Sequence, residues 1–250
     1  PRGPRAPRHP FATKNILDTY GHRPAADWRS HLVPSGVEAG SRVRAGKIEY
    51  AGWETGFDLI TPEGSLPVKL HLPGAYNLEN ALAAAAAAVA LGLEPDAIAA
   101  GLDACRGVPG RFELVDVEAP FRVVVDYAHN EDGLEKMLTS ARSLTGGRLI
   151  TVFGCPGERD RNKRPGMGEI AGCLSDLAIL TTDDCSGEPP EQILDETEPG
   201  LIKSGVIYQR ITDRGQAIEV ALASAKQDDT VLIAGKGHES FQIMASGSIP

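Results

Sequence analysis

Five apolar runs in the second half of the chain each end in a cluster of polar, chemically capable residues. This arrangement limits the fold more than any other feature. The runs are Phe121–Val125, Arg148–Phe153, Leu177–Leu180, a weaker Gly205–Tyr208, and Thr230–Ala234. They lead into Asp126-Tyr-Ala-His129, Gly154 to Arg164, Thr181-Thr-Asp-Asp184, Asp213-Arg214 and Gly235-Lys-Gly-His-Glu239. Helices are predicted between them at Asp132–Ser143, Gly166–Ser175, Pro190–Thr197 and Asp213–Lys226. Strands alternating with helices of this length imply a parallel sheet built from right-handed crossovers. In an open α/β sheet, ligands gather outside the carboxyl ends of the strands. The second half therefore reads as a doubly wound enzyme domain with its polar groups converging on one rim.

The first half has another grammar. From Ser41 to Leu72 short strands alternate around the turn Thr61-Pro-Glu-Gly64, which predicts a small antiparallel meander. Gly74-Ala-Tyr-Asn-Leu-Glu-Asn80 leads into the alanine-rich run Ala81–Gly92, a strong helix former, and Pro95-Asp96 opens a second helix ending near Cys105. Gly107-Val-Pro-Gly110 breaks the pattern, which places domains at 41–108 and 109–250. Residues 1–40 open with a basic, proline-rich stretch that suits neither helix nor central strand. They are expected to be poorly ordered, and the missing initiator Met is read as the mark of a truncated chain.

A net charge of -9 argues against a nucleic-acid surface, which needs a basic face, and is read as solubility. No stretch approaches the roughly 20 apolar residues of a membrane span, and no secretory signal opens the chain. A cytoplasmic monomer is expected. Cys105, Cys155, Cys173 and Cys185 match no zinc or redox spacing and are read as reduced thiols without a nucleophilic role.

The strand-end clusters carry the chemistry. No GxxxxGK[ST] or strand-following GxGxxG is present, so phosphates are held elsewhere or by a missing piece. Asp126 suits ribose hydroxyls or a turn cap, and His129 a phosphate, a carboxylate or a structural role. The Gly154–Arg164 segment sets four cations among two anions between glycines and a helix, a pattern read as anion binding. Asp183 and Asp184, with Glu188 nearby, suit a metal, a substrate ammonium or a helix N-cap. Gly235 and Gly237 suit close backbone approach by a ligand, or a hairpin-type turn.

Taken together, these segments resemble the Mur ligase family, most closely its MurE-type members. The pieces that carry the resemblance are Gly74–Asn80, Pro109-Gly-Arg-Phe-Glu113, Asp126-Tyr-Ala-His-Asn130 and Val152-Phe-Gly154. They continue with Glu158-Arg-Asp160, Lys163-Arg164, Asp213-Arg214, Ala217-Ile218 and Gly235–Glu239, so that the similarity runs from about Arg42 to Met244. The resemblance implies a Rossmann-like C-terminal domain preceded by the remnant of a central ATPase domain. It also implies an ATP- and Mg2+-dependent ligase joining an amino acid to a UDP-muramyl dipeptide. By the same resemblance Asn80 contacts adenine, Arg111, Asp126 and His129 serve the nucleotide, and Arg159 holds the incoming carboxylate. Asp183, Asp184, Gly235 and Glu239 complete the amino-acid site.

Two departures qualify the resemblance. Diaminopimelate-adding members carry Asp-Asn-Pro-Arg where this chain has Asp183-Asp-Cys-Ser186, so lysine, ornithine or another diamine gains over diaminopimelate. Glu131 follows His129-Asn130 where the family has Pro. The family's phosphate loop, metal-binding acids and uridine-nucleotide domain would precede residue 1, so the isolated chain is expected to be inactive. Alternative readings are a Mur-like paralogue, a folylpolyglutamate-synthase-type ligase, and a non-catalytic binding module that kept the fold.

Overall fold

A computed structural model describes residues 35–36 and 41–249. The segment 1–40 that is expected to be poorly ordered lies outside the described residues, apart from Ser35–Gly36. The chain divides into two compact units, Pro1–Arg106 and Gly107–Pro250.

In the first unit, β1 (Ser35–Gly36), β2 (Val43–Ala51), β3 (Glu54–Thr61) and β4 (Gly64–Leu70) form a sheet in that order. The last three make the expected antiparallel meander. β2 is one bent strand, because its register on β3 shifts between Gly46 and Glu49. β3 alternates strictly between half-buried and buried residues, so only one face meets the core. Two helices follow, α1 (Ala75–Ala90) and α2 (Pro95–Ala104). α1 starts before the alanine run, inside the motif that precedes it; Gly74 caps it, and Asn77 Nδ2 donates to Pro73 O at 2.8 Å. Leu78, Leu82, Ala85 and Ala86 recur at helical spacing and pack with Phe57, Leu59 and Leu70.

The second unit holds β5 (Glu113–Val115), β6 (Arg122–Asp126), β7 (Leu149–Phe153), β8 (Leu177–Leu180), β9 (Ile207–Arg210) and β10 (Thr230–Ala234). Their spatial order is β5-β6-β10-β7-β8-β9. All neighbours are parallel except β5, which runs antiparallel on the β6 edge. Every residue of β7 and β8 is buried, as expected for strands covered on both faces. The helices are α3 (Glu131–Leu144), α4 (Lys163–Leu174), α5 (Pro190–Ser204) and α6 (Arg214–Ser224). α6 packs through Ala217 and Ala221 on Val123, Ile150, Val152, Ile179 and Val231, which project from one face of the sheet. A two-stranded ribbon, β11 (Gln242–Met244) and β12 (Gly247–Ile249), ends the unit.

Two helix boundaries differ from the sequence expectation for identifiable reasons. α4 begins at Lys163 because Pro165 falls in its first turn, where a missing N–H leaves no gap. α5 was expected to stop at Thr197, ahead of Pro199, yet it continues to a left-handed Gly205. Packing overrides the proline: a Cβ on Gly168 would strike Thr197 O, and one on Gly200 would strike Pro165 O, so α4 and α5 touch backbone to backbone.

Candidate active site

The crossover from β6 to β7 skips the slot that β10 later fills, so three chain-distant strands end side by side. Their carboxyl ends carry Asp126, Gly154 and Gly235. Gly235 N donates to Asp126 O at 3.0 Å, which ties the β6 and β10 ends together. Gly157 N donates to Asp184 O at 2.6 Å, which ties the β7 loop to the β8 loop. A Cβ on Gly157 would run into Cys185 O, and one on Gly154 would sit 2.9 Å from Asp183 N, so these glycines permit the loops to meet.

Asp126 is buried at the end of β6. Its Oδ2 accepts from Phe112 N at 2.6 Å and its Oδ1 from Ala128 N at 2.7 Å. Burial raises its pKa above the usual carboxylate range, more than these two N–H groups lower it. Each oxygen keeps a lone pair, so the turn role and a ligand role coexist. The preceding turn places the Arg111 guanidinium 4.8 Å from the Tyr127 ring centroid. Tyr127 donates from its hydroxyl to Glu239 Oε1 at 3.2 Å, and meets the rings of His129 and His238 at 5.0 and 5.8 Å. His129 Nδ1 lies 2.8 Å from Tyr127 O, so one ring nitrogen has a structural partner. Asn130 caps α3 through Gly133 N at 2.8 Å. Glu131 therefore stands at the first helical position, where the family's Pro is tolerated and an acid is favourable.

The cations of the β7 loop have divided roles. Arg164 is fully buried, with Nη1 and Nη2 on the Glu188 carboxylate at 3.0 and 2.9 Å and Nη1 on Glu196 Oε2 at 2.6 Å. Arg161 also pairs with Glu196. Lys163 donates to His129 O at 3.0 Å. Arg159 is exposed and has no hydrogen bond or ion pair among the described residues. The anion-binding reading thus narrows from four cations to one, since the other three hold the loops in place.

The β8 loop and the β10 end share a charge chain. Lys236 Nζ lies 2.7 Å from both Asp184 Oδ1 and Glu239 Oε2, and these carboxylates outweigh burial in raising its pKa. Ile243 N also donates to Asp184 Oδ1 at 2.8 Å, docking the β11 ribbon on this loop. Asp183 is sealed beneath: its Oδ1 accepts from Asp184 N at 2.7 Å, and its Oδ2 is buried without a hydrogen-bond partner. A Cβ on Gly235, whose φ is +110°, would collide with that oxygen, so only glycine fits. Arg214 lies below, donating to Ala234 O at 2.7 Å and Thr182 O at 3.2 Å, its pKa lowered by burial against the opposing pull of Asp183. Pro189 occupies the N-cap of α5, so neither Asp183 nor Asp184 caps that helix. Beside the rim a cavity of about 330 Å³ opens over Val125, Ile218 and Ile233.

The second-unit candidates Arg111, Asp126, His129, Arg159, Asp183, Asp184, Gly235 and Glu239 lie on the strand-end loops of one sheet edge or the turn beside it. Asn80 is an exposed residue of α1 in the first unit. Tyr127 and Lys236 are residues that sequence reasoning left without a role; both stand inside quoted motifs, but the Tyr127–Glu239 and Lys236–Asp184 contacts join segments 112 and 52 residues apart. Cys155 and Cys185 are buried, and burial pushes both thiols up to about 11, so neither is a thiolate nucleophile at neutral pH. No group of three or more His, Cys, Asp or Glu that could hold a metal occurs among the described residues. No helix among them is long and apolar enough to cross a membrane.

A doubly wound domain with an acid- and arginine-lined strand-end rim is the class that fold and site define. Residues 110–237 match the family described as Mur ligase, glutamate ligase domain, and residues 9–88 match the Mur ligase middle domain. The chain belongs to the Mur ligase family. It is 46% identical over 213 residues to a UDP-N-acetylmuramoyl-L-alanyl-D-glutamate--2,6-diaminopimelate ligase of Bacillus velezensis, covering 85% of this chain and 43% of that protein. The protein of the same description from Gloeobacter violaceus is 50% identical over 192 residues, covering 76% of this chain and 39% of its own length. A solved structure of a ligase so described superposes with a TM-score of 0.58 at 34% identity, over 84% of this chain and 43% of that one. The chain thus spans less than half the length of these relatives.

Proposed function

We propose that this chain carries the amino-acid site and the nucleoside side of the ATP site of a ligase that extends a UDP-muramyl peptide. The observation that carries this reading is the contact line Tyr127–Glu239–Lys236–Asp184, which begins one residue after Asp126 and so brings the candidate nucleotide and amino-acid groups to one rim. Bound ATP supplies the phosphoryl group that activates the peptide carboxylate for attack by the amine. Arg111 has open guanidinium N–H groups for phosphate, and Asp126 has spare lone pairs for ribose hydroxyls. His129 flanks them. The reaction requires Mg2+, for which the described residues present no ready cluster.

Arg159 grips the carboxylate of the incoming amino acid, and Glu239 faces its ammonium beside the Gly235 backbone. Asp183 is sealed from solvent beneath Gly235 and does not reach the ligand directly. The added residue is lysine or ornithine. A distal carboxylate would need a second free cation, yet position 186 is Ser, Lys236 already serves two carboxylates, and Arg164 and Arg214 are buried on protein partners. Calorimetric titration of the chain with L-lysine, L-ornithine and meso-diaminopimelate tests this. The diamines should bind about tenfold tighter, the worth of one charged hydrogen bond, and Ser186→Arg should narrow the gap. Equal or tighter binding of diaminopimelate by the unmodified chain sinks the substrate assignment, and binding of none of the three sinks the site.

A further inference from the structure

We propose that Tyr127 is a positioning residue that holds the amino-acid side and the nucleotide side of the rim in register. The inference rests on the site reading above and goes beyond it, because it concerns how the two halves communicate. Tyr127 contacts candidates of both kinds, Glu239 on one side and Arg111 and His129 on the other. Its hydroxyl donates to Glu239 Oε1 at 3.2 Å, while Lys236 holds the other oxygen of the same carboxylate at 2.7 Å. The two bonds together fix the Glu239 carboxylate plane, as a single one would not. On the other side its ring face receives the Arg111 guanidinium at 4.8 Å, a cation–π contact that limits where that charge can swing.

The ring itself has little freedom. His129 meets it edge-on at 73° and His238 lies tilted over it at 36°. A Cβ on Gly237 would stand 2.8 Å from Tyr127 Cβ, so the β10 loop closes on it only because that residue is glycine. Burial and the nearby Glu239 raise the Tyr127 pKa, which keeps the hydroxyl a donor throughout the neutral range. A ligand phosphate that draws Arg111 away therefore acts on the same ring that orients Glu239.

The two contacts separate by substitution. Tyr127→Phe removes the hydroxyl and keeps the ring; Tyr127→Leu removes both. Calorimetry on the 250-residue chain, with ADP and with L-lysine as probes, should show Tyr127→Phe weakening L-lysine about tenfold while ADP changes less than about twofold and the unfolding midpoint holds. Tyr127→Leu should weaken both probes. Glu239→Gln combined with Tyr127→Phe should be less than additive for L-lysine, because the two variants break the same bond. Unchanged L-lysine affinity in Tyr127→Phe, or equal losses for both probes, overturns the inference. Failure of the unsubstituted chain to bind either probe overturns the site reading, and this inference falls with it.

Discussion

Two charge clusters sit at neighbouring strand ends of the second unit, and they are built to opposite purposes. Around Arg164, a fully buried guanidinium lies against Glu188 and Glu196, with Arg161 completing the set. Around Lys236, a nearly buried ammonium bridges Asp184 and Glu239, both of which reach the rim. The first cluster turns its two terminal Arg164 nitrogens onto protein carboxylates and staples α4 to α5. The second leaves Glu239 hydrogen-bonded to the Tyr127 hydroxyl at the rim. Density of charge in the sequence is the same kind of signal in both; what separates them is that two arginines balance two acids in the first, whereas one lysine faces two acids in the second.

The largest expected effect breaks the first cluster. Arg164→Met strips two carboxylates of their buried partner, and removing one member of a buried ion pair costs several kcal/mol. Glu188 and Glu196 are 18% and 28% exposed, and each keeps another donor, so the loss should lie near the lower end, about 3 kcal/mol. Urea denaturation of the chain measures it. A loss below about 1 kcal/mol would mean that the cluster is not the staple it looks like, and the contrast with the Lys236 cluster would collapse.

This contrast also shows where a sequence stops being readable. Apolar runs of four to six residues leading into polar clusters reveal the parallel strands, because burial and strand-end chemistry leave a local mark. That the Arg164 charge points inward while Arg159 points out has no local mark. It depends on Glu188 and Glu196, which the chain delivers 24 and 32 residues later. The same holds for the end of α5: Pro199 argues for a stop, and only the distant Gly168–Gly200 approach overrules it. Lys236 and Tyr127 were visible as letters, but their partners lie 52 and 112 residues away. The family resemblance supplied ligand roles for the rim, and geometry then showed which of those side chains are open to a ligand.

A smaller effect sharpens the same cluster through pH. Hydrogen bonding from Arg161, aided by Arg164, pulls the Glu196 carboxyl down from its ordinary 4.5 to about 2. The unfolded chain therefore binds the proton at higher pH than the folded one. Stability from this group is fully present above about pH 4.5 and drains away as pH falls through about 2. Solvent screening of the half-exposed Arg161 keeps the contribution small. Glu196→Gln should flatten the stability profile across that window; an identical profile would remove Glu196 from the staple.

The smallest effect on stability carries the sharpest test of the comparison. Arg159 is exposed and has no hydrogen bond among the described residues, so Arg159→Ala should move the unfolding free energy by less than about 0.5 kcal/mol. Yet it is the one β7-loop cation left for a ligand carboxylate, and an Arg–carboxylate fork is worth roughly tenfold or more in affinity. Calorimetry with L-lysine beside urea denaturation should thus give a stable protein that has lost the amino acid. If Arg159→Ala instead destabilises the chain and spares binding, the two clusters do not differ in kind, and the β7 loop as a whole belongs to the scaffold.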